Sequence, residues 1–121
     1  MQERDAWVSQ IRKGVLELAV LGLLSREAKY GGQLVEELGA QPALAISTGT
    51  VYPLLSRLRK AGLVETAWRE SPVGPPRKYY ELTAQGRLAV VEMAEAWRSV
   101  VTALDATLVA PSDNTADGSE K

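Results

Sequence analysis

A chain of 121 residues with no cysteine and no histidine is the size of one domain. It lacks the side chains for disulfides, thiol chemistry, the common zinc sites and histidine acid–base catalysis. Its net charge of −1 gives no overall pull toward a polyanion, so only the placement of charge along the chain can point to one.

The longest apolar run, Val15 to Leu24, contains Glu17 and stops short of the roughly 20 residues of a membrane span, and no secretory leader precedes it. The expected compartment is the cytoplasm, with no membrane partner. In chain order, Arg4–Ile11 reads as a short amphipathic lead-in helix with Ala6, Trp7, Val8 and Ile11 apolar. Gly14–Leu24 is apolar nearly all round, which a helix permits only when other elements enclose it; it is the expected central strut. Tyr30–Leu38 reads as a shorter helix ending at Gly39, with Leu34, Val35 and Leu38 inward, and Pro42, Leu44 and Ile46 bridge to the next element.

The next helix opens at Ser47 or Thr48, whose short side-chain oxygens can accept an unpaired N–H of the first turn. Val51, Leu54, Leu55 and Leu58 fall on one stripe, while Thr50, Tyr52, Ser56, Arg57, Arg59 and Lys60 lie mainly off it. Pro53, which lacks an N–H, places the first turn between Ser47 and Thr50. Gly62 is the expected left-handed closing residue, with Leu63 beyond it as the apolar partner of Leu58. Leu63–Trp68 and Lys78–Thr83 then read as two paired strands with Tyr80 and Leu82 on one side. The segment Ser71-Pro72-Val73-Gly74-Pro75-Pro76 cannot continue a ladder and must be an exposed hairpin tip.

Charge gathers in this region. From Ser47 to Arg87, seven cations (Arg57, Arg59, Lys60, Arg69, Arg77, Lys78, Arg87) face three carboxylates (Glu65, Glu70, Glu81), a local +4. That distribution favours salt-sensitive binding to nucleic acid. Thr83 can cap a last helix, Ala84–Leu108, with Val90, Met93, Trp97, Val100 or Val101, Leu104 and Leu108 recurring at steps near three and four. At 1.5 Å per residue it is roughly 35 Å long, too long for so small a domain to cover, and the stripe implies a second copy of the chain. Beyond Ala110 the polar composition is that of a disordered tail.

The order helix, helix, helix, hairpin, long helix is that of a winged helix-turn-helix: mainly α with a small two-stranded antiparallel sheet. The expected division is a reading domain over residues 1–83, a dimerisation helix over 84–109 and a tail over 110–121. Through LELAVLGLL, YGGQLVEEL, ISTGTVYPLLSRLRKAGLV and GPPRKYYELTAQG, about residues 13–105, the chain resembles the PadR family of bacterial transcriptional regulators, in its compact subtype with one C-terminal helix. The resemblance implies a dimeric repressor. Its third helix would enter the major groove, its hairpin would touch the flanking backbone or minor groove, and an inducing ligand or stress would release it from DNA. The chain departs from the family at Leu58-Arg59-Lys60, where members commonly carry a Leu-Glu pair; this puts the operator sequence beyond prediction.

The residues expected to contact double-stranded DNA are Ser47, Thr48, Thr50, Val51, Tyr52, Ser56, Arg57 and Lys60 on the helix and Arg77 and Lys78 at the hairpin base. Hydroxyls and the Tyr52 ring would reach base edges or phosphates, and the cations would hold the backbone. A pseudo-palindromic operator would receive one such helix per half-site. The dimer contacts are expected at Trp7, Val90, Met93, Trp97, Val101 and Leu104. Trp7 and Trp97 would either pack there or line a pocket for a flat hydrophobic effector. No cofactor, metal or catalytic residue is expected: Glu36 with Glu37 and Glu92 with Glu95 are carboxylate pairs of the kind solvated helix faces routinely carry. The alternative is a winged-helix module that binds protein instead of DNA, for which the modest charge leaves room.

Overall fold

The computed structural model describes residues 2–108. Five helices and three strands follow in order: α1 (Gln2–Arg12), α2 (Leu16–Leu24), β1 (Lys29–Tyr30), α3 (Gly31–Gly39), a 3₁₀ turn (Pro42–Leu44), α4 (Thr48–Lys60), β2 (Val64–Arg69), β3 (Arg77–Leu82) and α5 (Ala84–Thr107). The described residues form two compact units, one up to Val91 and the other from Glu92 onward. Among them no helix is long and apolar enough to cross a membrane. The tail expected from residue 110 lies outside the described residues.

The core of the first unit comes from the stripes read in the sequence. Val20 and Leu21 of α2, Leu34 of α3, and Val51 and Leu55 of α4 are fully buried, with Leu24, Leu38, Leu54, Leu58, Val64 and Leu82 nearly so. Burying each large aliphatic side chain contributes about 1.5–3 kcal/mol of transfer free energy, so α4 alone anchors itself through four side chains. The expectation that α2 is enclosed all round is corrected: Leu18, Ala19 and Leu23 are only half-buried.

The sheet has three strands in the order β1-β3-β2, all antiparallel, where the sequence suggested two. The missing strand is two residues long, with Lys29 opposite Tyr80 and Tyr30 opposite Tyr79. So Tyr30 belongs to a strand rather than to α3, and no alternation in sequence could announce so short a segment. β1 also carries a buried cation. Lys29 is 3% exposed and its ammonium lies 3.1 Å from Glu37 and 3.3 Å from Glu27, because a charge leaves water only when it is paired.

α4 ends as its sequence requires. Gly62 has φ +80°, and the Gly62 and Leu63 amides donate to the carbonyls of Arg59 and Leu58, both at 3.0 Å: the two bonds of a Schellman ending. Its start corrects one expectation. Ser47 is the cap residue in extended conformation, yet its hydroxyl makes no capping bond. Thr83 does cap α5: the Gly86 amide donates to Thr83 Oγ1 at 3.0 Å, while that hydroxyl donates to the Gly62 carbonyl at 2.7 Å. The Thr83 amide donates in turn to the Leu63 carbonyl at 3.0 Å. Gly86 is buried against this turn, and a Cβ there would run into the Leu63 carbonyl.

Gly86→Ala tests this junction. In an isolated helix alanine is favoured over glycine by about 1 kcal/mol; here overpacking against backbone should reverse the sign and destabilise the protein by about 1–3 kcal/mol in urea unfolding. An unchanged or raised unfolding midpoint would mean that the junction is looser than described.

Candidate nucleic-acid interface

α4 presents a buried apolar stripe on one side and an exposed polar face on the other. That face carries Arg57, Arg59 and Lys60 in its last turn and no carboxylate anywhere along the helix. Ser47, Thr48, Thr50, Tyr52, Ser56, Arg57 and Lys60 are all exposed, which brings seven of the eight residues singled out on this helix onto accessible surface. Val51 is the correction: it is fully buried and holds the helix down, because it lies on the stripe with Leu54, Leu55 and Leu58.

At the middle of the exposed face stand two residues that were not among the expected contacts, Gly49 and Pro53. They are four apart, so they stack on one line of the helix, and Pro53 supplies no N–H to the Gly49 carbonyl. The centre of the face is therefore low and carries a carbonyl without its helical donor. Ser56 and Lys60 continue that line. To one side Arg57 pairs with Glu17 of α2, Nε to carboxylate 3.5 Å, both side chains substantially exposed; such a surface pair is worth only about 0–1 kcal/mol and yields readily to a stronger anion. To the other side Tyr52 is 47% exposed yet positioned. Its ring lies over Gly31, where an added Cβ would come within 2.5 Å of ring atoms. Arg59, seven residues and two turns after Tyr52, lies on this side as well; burial raises the pKa of the Tyr80 hydroxyl, aided by Tyr52 and opposed by Arg59.

The hairpin splits the two cations assigned to it. Consecutive strand residues point to opposite faces, and Arg77 stacks on the outer face, 4.4 Å from the centre of the Tyr30 ring. Tyr30 meets Tyr79 edge-on at 5.4 Å, and Arg69 covers Tyr79 at 4.6 Å while lying 3.9 Å from Glu81. Lys78 is on the other face, with Tyr80, its ammonium 6.0 Å from that ring. The residue opposite Lys78 in the ladder is Trp68, 68% exposed. Tyr80, Val64 and Leu82 of this face pack into the core, so Lys78 and Trp68 extend the side of the sheet that the helices occupy. Trp68 was missed although it was legible: in β2 it follows Val64 by four residues and so shares its face. The tip is exposed as expected, closed by Gly74 at φ +91° and by a 2.7 Å bond from the Ser71 hydroxyl to the Val73 carbonyl.

The aromatic and apolar residues assigned to pairing fall in both units. In the first, Trp7 is 68% exposed and Val90 half-buried. In the second, Met93 and Val101 are half-buried, and Trp97 and Leu104 are 41% and 48% exposed.

Comparison with known proteins agrees with this architecture. The model of the transcriptional regulator PadR-like family matches residues 20–92. A PadR-like transcriptional regulator from Bacillus cereus is 37% identical, with 84% of this chain and 98% of that one covered at a TM-score of 0.76. A PadR family transcriptional regulator from Eggerthella lenta is 32% identical, with 88% and 92% covered at a TM-score of 0.77. An uncharacterized protein of Lysinibacillus sphaericus is 27% identical over 99 residues, 80% of this chain and 91% of its own.

Proposed function

The chain belongs to the PadR-like family of transcriptional regulators, and from that premise we propose that it is a repressor that binds a pseudo-palindromic operator as a homodimer, one α4 in each major groove. The observation that carries this reading is the exposed face of α4, with hydroxyls at its leading end, three cations at its trailing end and no carboxylate. A helix of this kind fits the major groove, whose floor offers donors and acceptors to short polar side chains and whose walls are phosphate. Ser47, Thr48, Thr50, Tyr52 and Ser56 are the residues for base edges and near phosphates; Arg57 and Lys60 are the backbone cations. On the wing, Lys78 shares the side of the helices and Arg77 is stacked on Tyr30, so Lys78 is the first choice for a flanking phosphate.

Two such helices on one face of a dimer would sit about 34–36 Å apart, one turn of duplex. The exposed apolar residues of α5 are what a second copy would cover. Trp7 and Trp97 are the rings that a flat hydrophobic effector would meet in such an interface. An effector that alters the spacing of the two helices weakens both half-sites at once.

With DNA from upstream of its own gene, a gel shift at low salt and micromolar protein should show binding. Lys60→Ala and Arg57→Ala should each weaken it across sequences and lower the slope of log affinity against log salt by about one unit. Absence of any shift would favour a protein-binding winged helix. Sedimentation at working concentration should give twice the subunit mass, and planar hydrophobic compounds should quench Trp7 and Trp97 saturably in a Trp68→Phe background. A subunit mass would reject the dimer, and no saturable quenching by any compound would reject the effector.

A further inference from the structure

We propose that the cleft between the end of α1 and the start of α4 seats a backbone phosphate of the bound duplex, with Arg12 and Lys13 as its cations and Ser47 and Thr50 as its hydroxyl donors. The cleft has a volume of about 510 Å³, is floored by Leu16 and Ile46, and has no carboxylate in its lining. Arg12 is half-buried and Lys13 exposed, and neither joins an ion pair among the described residues. Among the described residues the other cations without an ion pair, such as Arg59, Lys60 and Arg87, are exposed to water or, like Arg77 and Lys78, lie over an aromatic ring. A guanidinium drawn partly out of water without an anion is costly. Beside an ammonium and hydroxyls, it is matched to an external oxyanion.

Position decides which anion. Ser47 and Thr50 belong both to the cleft and to the leading edge of the exposed face of α4, so a group held in the cleft borders whatever that face binds. A strand of duplex flanking the groove brings phosphates along that border, and DNA-binding proteins take half or more of their hydrogen bonds from phosphate and sugar. The inference rests on the duplex-binding reading. Sequence inspection missed these cations because they lie more than thirty residues before α4 and only the fold brings them to its start.

The test uses the full chain with DNA from upstream of its own gene, comparing wild type with R12Q/K13Q by salt titration and phosphate-ethylation interference. The double variant should bind about five to ten times more weakly, with a salt slope lower by about one to two units. One phosphate per half-site should drop out of its interference pattern while the others remain. If wild type binds and the variant keeps both slope and pattern, the cleft is not a phosphate seat although the duplex reading stands; if wild type does not bind, the duplex reading itself fails. Inorganic phosphate displacing the duplex from wild type more than chloride at equal ionic strength, but not from the variant, would make this a free-anion site and overturn the proposal. Should R12Q/K13Q unfold, Lys13→Gln alone, at an exposed position, carries the same comparison with a loss of about one unit of slope.

Discussion

The turn where α4, the hairpin and α5 meet is the constraint on which the rest of the first unit depends. Gly62 and Leu63 close α4 through two backbone bonds, and the same two residues give their carbonyls to Thr83, one to its hydroxyl and one to its amide. Thr83 then caps α5 through Gly86, and Gly86 lies so close to Leu63 that no side chain fits between them. Four residues thereby satisfy the end of one helix, the end of a strand and the start of another helix. Unpaired backbone groups at buried helix ends cost about as much as lost hydrogen bonds, so the end of α4, the end of β3 and the first turn of α5 are held together.

Around that turn, affinity and rigidity are assigned to different side chains. Four buried apolar residues of α4 fix the helix, leaving its outer face few structural duties: the Tyr52 ring is seated on Gly31 and Arg57 pairs with Glu17. The sheet divides in the same way. Its inner face carries Val64, Tyr80 and Leu82 into the core, and its outer face is a ladder of two tyrosines and two arginines held by stacking. An arginine engaged in such a stack keeps its charge but gives up rotamer freedom. A surface lysine keeps both.

Much of this was legible beforehand because local rules sufficed. The stripe Val51, Leu54, Leu55 and Leu58, the stop at Gly62, the proline-rich tip and the cap at Thr83 each depend on spacing or on the chemistry of a few neighbouring residues, and each appears where the spacing placed it. Val51 shows the limit: expected both on the core stripe and among the DNA contacts, it is buried as its place on the stripe requires. Ser47 shows another, since cap chemistry says what a hydroxyl can do and not what it does.

Sequence alone determined the order of the helices and of the hairpin, the inward face of α4 and the concentration of positive charge after Ser47, since periodicity, capping and composition act over a few residues. Tertiary structure decided what depends on residues far apart. It made a strand of Lys29 and Tyr30 by pairing them with β3, buried Lys29 between Glu27 and Glu37, and put Arg77 and Lys78 on opposite faces. It also brought Arg12 and Lys13 beside Ser47 and Thr50. The physical reason is that pairing, desolvation and electrostatic partnership are set by distance through space, and one-dimensional spacing encodes that distance only within a helix turn or along a strand.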